Sequence, residues 1–395
     1  MNKIRPKTFI SSSAHPVYNL KLGLICLSSL LFSASYNMLI PELPAYLTTM
    51  GGAKYIGFII SLFTLTAGLS RPFSGKLTDT IGRLPVMIFG TIVCVLCGML
   101  YPMANTVLGF LLLRLFHGFS TGFKPTATSA YVADITPAKS WGAAIGMQSL
   151  FYSTGMAIGP AVGSFIKMNY TYDVLFYASS ICAFMSMLVI LNMKETLQPK
   201  QKFKWALLRI NRNEIIATEV LPAAFVVLLV YSSFGVILTL IPDWTAYLGI
   251  ANKGMFFIVF TVSSLLVRFV AGKASDYYGR KIVIIIGLVV LVIAMLLLGL
   301  ATSVMLFISG AILYGIAMGV LSPSLNAWTI DMSLKHARGK AVATMYIALE
   351  AGIGLGALFS GWYYQSRIDN IPEVMYSIGG IAFIALGYML LKHRK

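Results

Sequence analysis

Glu350 is the one carboxylate of the chain set deep within a long apolar stretch, about nine residues or roughly 14 Å from the end of its run if that run is helical. An acid in such a place costs free energy unless it is paired or wet, which marks it for transport chemistry. An apolar wall favours its neutral form and a neighbouring cation its charged form. Held between the two, it could take up and release a proton. Matching cations lie on another apolar stretch, where Arg114, His117, Thr121, Lys124 and Thr128 follow spacings of three or four. On a helix these positions fall within about 80° of arc and form one polar stripe. Turned toward a cavity, the stripe would offer Arg114 or Lys124 as the counter-charge of Glu350, or as the anchor of an anionic group. His117, titratable near neutral pH, is the second proton-carrying candidate. Each has a plainer alternative: Arg114 as a donor to a neighbouring carbonyl, Lys124 snorkelling to an interface, His117 as a neutral packing residue.

The elements that must position these groups are membrane helices. Hydrophobic residues make up 58% of the 395 and charged residues 11%, with a mean hydropathy of +0.82, well above the apolar share and well below the charge of a soluble domain. A span needs about 20 apolar residues and must satisfy its backbone internally. Runs such as IVIIIGLVVLVIAMLLLGLA, 282–301, are apolar all round and exclude the alternation of a membrane barrel. The apolar runs predict twelve spans, at 21–41, 55–75, 85–104, 107–131, 143–166, 173–193, 219–241, 255–275, 282–301, 304–330, 341–362 and 374–391. A net charge of +17 would suggest nucleic acid in a soluble protein. Here its distribution answers otherwise. Lys54, Lys167, Lys253 and Arg367 fall on odd-numbered connections, Arg114 and Lys124 inside a span, and the rest are counted with the termini and even-numbered connections, Arg71 and Arg268 among them. Those segments are therefore expected to face the cytoplasm, with no nucleic-acid partner. Cys26, Cys94, Cys97 and Cys182 all lie in apolar spans, so neither a disulfide nor a metal site is expected. The first 19 residues are polar and basic without a cleavage pattern, which reads as an uncleaved first span.

The chain is also duplicated. Arg71 to Arg83, RPFSGKLTDTIGR, returns as RFVAGKASDYYGR from Arg268 to Arg280, with Gly75/Gly272, Lys76/Lys273, Asp79/Asp276, Gly82/Gly279 and Arg83/Arg280 matching at a constant offset of 197 residues. Asp134/Asp331, Gly155/Gly352 and Gly159/Gly356 keep that offset, and it places Ser153 opposite Glu350. The expected division is a cytoplasmic segment 1–20, a six-helix bundle 21–193, a basic linker 194–218, a second bundle 219–391 and a tail 392–395. Within the linker, KQKFKWALLRINR reads either as a basic amphipathic helix on the inner leaflet or as a solvated connection. Parallel six-span halves imply a twofold axis along the membrane normal with a cavity between them.

These motifs resemble the major facilitator superfamily over the whole length. The signature G-x-x-x-D-(R/K)-x-G-(R/K)-(R/K) is matched at Gly75, Asp79, Gly82 and Arg83, departing at Thr80 and Leu84, and again at Gly272, Asp276, Gly279 and Arg280. RLFHGFSTG is similar to the R-x-x-(Q/H)-G motif, and GMAIGPAVGS resembles the antiporter signature at Gly155, Gly159, Pro160 and Gly163, with Ser164 in place of the last glycine. The resemblance implies an all-α fold of two pseudo-symmetric six-helix bundles, acting as a drug/proton-antiporter-like exporter in the inner membrane. It implies a cytoplasmic gate in which Asp79 meets span eleven and is held by Arg83 and Asp134, duplicated as Asp276, Arg280 and Asp331. It also places Tyr36, Asn37, Tyr231, Phe234, Tyr314 and Asn326 on cavity-lining spans. Glu42 and Asp243, in matching IP-(E/D) contexts, read as an outer rim or as solvated helix ends.

The function expected is proton-coupled antiport of small amphipathic or anionic molecules by a single chain, with the proton gradient as energy source and no cofactor. A symporter importing a nutrient shares the fold. A membrane enzyme would need a nucleophile and base, a metal cluster or a phosphate loop, and the sequence shows none. A channel would need a re-entrant filter or a ring of like charge.

Overall fold

The computed structural model describes residues 20–137, 140–209, 216–334 and 338–393. The described residues are helical almost throughout. The helices are α1 (Leu20–Asn37), a short α2 (Leu43–Thr49), α3 (Ile56–Thr80), α4 (Arg83–Leu100), α5 (Val107–Ile135), α6 (Trp141–Asn169), α7 (Tyr172–Leu191), α8 (Leu221–Tyr247), α9 (Met255–Tyr278), α10 (Arg280–Gly299), α11 (Val304–Met332), α12 (Arg338–Tyr364) and α13 (Ile371–His393). All but α2 correspond to the twelve expected spans. Among the described residues nine stretches are long and apolar enough to cross a membrane, or ten when α9, bent by 45° between Arg268 and Val270, counts as one. The others, α5 and α6, are 29 residues each. They are less apolar because α5 buries Arg114, His117 and Lys124 within the protein, and α6 carries small residues where it meets α1.

The duplication is carried into local structure. Thr106 caps α5 by accepting from the Gly109 amide at 3.1 Å, and Ser303 caps α11 by accepting from Leu306 at 3.3 Å, so two orphan amides are satisfied at equivalent positions. Gly82 and Gly279, with φ of +124° and +92°, let the chain turn tightly into α4 and α10. Packing repeats as well. In the first half α1 lies on α6 and α7, α3 on α5, and α4 on α5 and α7; in the second, α8 lies on α12 and α13, α9 on α11, and α10 on α11 and α13. The antiporter-like glycines make the α1–α6 contact. A Cβ on Gly163 would stand 1.9 Å from the Met38 carbonyl oxygen, and one on Gly356 of α12 would stand 2.0 Å from that of Ser232 on α8. Only small residues allow so close an approach.

Two seams join the halves, α3 with α12 and α6 with α9, and the internal correspondence exchanges them. At the end away from the linker, Lys253 in the turn before α9 reaches Glu42 at 3.3 Å, and Asn252 donates to the Ala161 carbonyl at 3.1 Å. Glu42 is buried and also accepts from Ser164 at 2.8 Å. It is a buried tie between the halves rather than a solvated helix end. Asp243 accepts from Tyr364 at 2.9 Å within its own half.

Of the two readings of the linker, its described part does not take the helical one. Over its described part it forms one 3-10 turn, Trp205–Leu208, with Phe203 and Trp205 exposed. Lys76 donates to the Arg209 carbonyl and Gln201 to that of Thr80, so the segment is tied to the end of α3. Residues 210–215 of the expected amphipathic stretch lie outside the described residues.

Candidate functional site

A cavity of about 280 Å³ lies between the halves, lined from both. Its first-half wall includes Tyr36, Asn37, Arg114, Thr121, Tyr152 and Ser153, and its second-half wall includes Tyr231, Phe234, Phe260, Arg268 and Glu350. Of the expected cavity residues, Tyr36, Asn37, Arg114, Thr121, Tyr231, Phe234 and Glu350 are therefore in place.

The counter-charge of Glu350 is not the expected one. Arg71, on α3, sends Nη2 to the Glu350 carboxylate at 2.6 Å across the α3–α12 seam, with 12% and 9% of the two side chains exposed. Close approach is possible because Gly68 faces Glu350, where a Cβ would sit 3.2 Å from the glutamate Cβ. The guanidinium also lies 4.5 Å from the centroid of the Tyr346 ring, which offers the face of a π system to the cation. Beside this pair the Tyr36 and Tyr152 hydroxyls hydrogen-bond to each other.

Arg114 and Lys124 do not meet Glu350. Arg114 donates Nε to the Ile59 carbonyl at 2.9 Å and stacks on Phe63 at 4.6 Å, so at the cavity edge it binds α5 to α3. Lys124 is off the cavity. Its ammonium bonds the Ser28 carbonyl at 3.1 Å, the Ser28 hydroxyl at 3.0 Å and the Ser186 hydroxyl, and lies over Phe32, joining α1, α5 and α7. It neither faces the cavity nor snorkels. His117 is likewise buried away from it, with Nδ1 3.1 Å from the Tyr101 hydroxyl and Nε2 3.3 Å from Cys94 Sγ. The stripe on α5 fails as a single cavity face because α5 packs against α3 on one side and α4 on the other. Tyr314 is buried and bonded to Ser233 at 3.1 Å. Asn326 does not line the cavity, and its Oδ1 is buried without a partner.

The gate residues assemble within each half. Arg83 bonds Asp134 through Nε at 3.0 Å and Asp79 through Nη1 at 3.0 Å. Arg280 bonds Asp331 through Nε at 3.0 Å and also bonds Asp276 through Nη1. The expected meeting of Asp79 with span eleven is not made in this conformation. Asp79 is 74% exposed, and among the described residues no ion pair joins the two clusters. Gly75 and Gly272 have open space around them. The one described cross-half ion pair besides Arg71–Glu350 is Lys253–Glu42 at the opposite end. The halves are thus tied far from the linker and at mid-height, while the charge clusters at the linker end stand apart. Sequence reasoning missed Glu195, whose carboxylate accepts from the Arg83 and Leu84 amides at 3.0 Å each and so caps α4. It also missed Arg71 and Arg268 as cavity residues: they were counted with the cytoplasmic connections although both fall inside expected spans, 55–75 and 255–275.

The comparisons with known proteins agree with this architecture. The family model described as "Major Facilitator Superfamily" matches twice, over residues 25–242 and 223–395. Among curated relatives, the multi-drug resistance efflux pump PmrA of Streptococcus pneumoniae is 29% identical over 325 residues, covering 77% of this chain and 79% of that one. Multidrug resistance protein 2 of Bacillus subtilis is 29% identical over 167 residues, and this chain spans 42% of its length. Among solved structures, the nucleoside transporter NupG superposes with a TM-score of 0.76 at 16% identity over 94% of this chain and 99% of that one, a likeness of fold. The chain is therefore a multi-pass membrane transporter, not an enzyme, and belongs to the Major Facilitator Superfamily.

Proposed function

We propose that this protein is a proton-coupled exporter of small amphipathic molecules, in which Glu350 carries the proton and Arg71 is its counter-charge. The observation that carries the reading is the 2.6 Å Arg71–Glu350 pair, set between the halves on the wall of their shared cavity. Rocking of the halves must part α3 from α12 near this pair. Parting an ionised pair in a mostly dry seam leaves two uncompensated charges, at a cost of about 3–5 kcal/mol when one partner is lost. Protonating Glu350 removes its charge and frees Arg71, so proton uptake and opening of the seam favour each other. Return of the carboxylate to Arg71 releases the proton on the other side. The efflux names of the curated relatives support the outward direction. The distribution of basic residues supports a cytoplasmic placement of the termini and of the linker end in the inner membrane, so the conformation described here would be closed outward. The chain carries all parts of this cycle, and we take the monomer as the working unit.

The test is substrate-driven proton movement in everted vesicles across a panel of toxic compounds and acidic metabolites. Any compound that collapses a preset pH gradient through the wild-type protein should fail to do so through Glu350→Gln. Undiminished coupled flux in that variant removes Glu350 from the role.

A further inference from the structure

The duplication gives the cavity two equivalent arginines but only one acid. Arg71 on α3 faces Glu350 on α12; by the same offset Arg268 on α9 faces Ser153 on α6. Arg268 Nη1 reaches the Ser153 hydroxyl at 3.5 Å, a long contact, and its Nε is buried with no hydrogen-bond partner. No described ion pair includes it. Two turns along the same face of α9, the Thr261 hydroxyl lines the cavity too, 2% exposed, and is likewise without a partner. Unsatisfied buried donors are rare in folded proteins because each keeps its desolvation cost uncompensated. Two on one helix face, both at a cavity wall, point to a missing acceptor.

The charge of the wall says the same. Its charged side chains are Arg71, Arg114, Arg268 and Glu350. Arg71 is neutralised by Glu350, and Arg114 spends its Nε on the Ile59 carbonyl beneath Phe63. Arg71 also keeps a buried Nε without a partner, but its charge is met by Glu350, and Arg114 reaches the Tyr101 hydroxyl at 3.4 Å as well; of the three, Arg268 alone has neither an ion pair among the described residues nor a hydrogen bond shorter than 3.5 Å. A guanidinium takes a carboxylate or other oxyanion through paired N–H donors, an interaction that neutral groups do not reproduce. The same cavity is lined by Phe234, Phe260, Leu265 and Met318, which offer an apolar wall. We propose that Arg268, helped by Thr261, is the anion-binding site of this cavity, and that the transported molecule is a small amphipathic acid whose oxyanion pairs with Arg268 while its ring or chain lies on the apolar wall. Ser153 in place of an acid leaves that arginine open to the substrate. This deepens the exporter reading, resting on it for the cavity being the path of transport.

The probes are three matched compounds, 2-naphthoate, 2-naphthamide and 2-naphthylmethylammonium, titrated calorimetrically into the full chain in lipid nanodiscs without a pH gradient. Wild-type protein should bind the acid about tenfold or more tighter than the amide, and the ammonium most weakly, as expected when one charge-assisted pair separates the ligands. Arg268→Gln should bind acid and amide alike. Ser153→Glu, which supplies the absent acid, should reduce acid binding and leave Arg268 in place. Arg268→Lys, keeping the charge but not the fork, should fall between. A wild-type protein that binds the acid no better than the amide, or not at all, overturns the proposal, as does an acid preference unchanged in Arg268→Gln. Because no gradient is applied, these outcomes are separate from loss of proton coupling, which the vesicle assay reads.

Discussion

Replacing Lys253 with alanine should open the end of the molecule away from the linker. Lys253 holds Glu42 at 3.3 Å across the halves, and the carboxylate is only 6% exposed. Losing one partner of a fully buried pair costs about 3–5 kcal/mol. The lysine side chain is 20% exposed and Glu42 keeps its bond from Ser164, so the loss is discounted to about 1.5–2 kcal/mol. That penalty falls on the conformation described here, in which the ends are joined, and not on one in which Glu42 reaches water. A difference of about 1.4 kcal/mol is tenfold in population, so the opened state should gain roughly ten- to thirtyfold. Spin labels at Met168 and Tyr247, exposed near that end in opposite halves, read the change as a longer pulsed-EPR distance. Labels at Trp141 and Tyr277 near the linker end should report a shorter one, since rocking closes one end as it opens the other. Unchanged distance distributions at both ends in a folded Lys253→Ala protein would refute the reasoning, because the tie would then carry no conformational energy.

Further outcomes follow from packing and charge. Gly163→Ala should lower the unfolding temperature in detergent by the equivalent of about 1–3 kcal/mol, since its Cβ would meet the Met38 carbonyl oxygen at 1.9 Å, whereas Gly142→Ala, with open space around it, should leave it unchanged. Glu195→Ala should cost about 1 kcal/mol in the same assay by uncapping two amides at the start of α4. Arg83→Ala and Arg280→Ala should each cost about 0–1 kcal/mol and add within about 0.5 kcal/mol in the double variant, because the two clusters lie in separate halves; coupling beyond about 1 kcal/mol would place them in contact.

The repeat at 197 residues reads directly into the fold, because the same caps, the same glycine turns and the same helix pairings stand at both copies. The Arg83–Asp134 and Arg280–Asp331 bonds, both 3.0 Å, were visible as paired charges at one offset. The cavity chemistry was half visible. Glu350 stands out because an acid in an apolar run must have a reason, but Arg71 and Arg268 were hidden by the loop signature they introduce. A helix continuing to Thr80 puts Arg71 more than two turns inside its end, and α9, reaching Tyr278, does the same for Arg268. Their matching offset from Ser153 and Glu350 was the signal available. Lys124 and His117 misled for a different reason. A helix period tells which residues share a face, and α5 is covered by protein on more than one face, so a buried polar pocket between α1, α4 and α7 looks like a cavity stripe in sequence. The linker left two readings open in the sequence because alternating basic and apolar residues describe a surface-lying chain whether or not it is helical.

The central claim is that one proton moves at Glu350 as substrate binds and leaves. It is tested most directly by proton release from purified protein in weakly buffered solution on adding a compound shown to be exported. Wild-type protein should exchange on the order of one proton per chain, and Glu350→Gln, still binding the compound, should exchange none. An equal proton exchange in Glu350→Gln would contradict the account and move the coupling to another group.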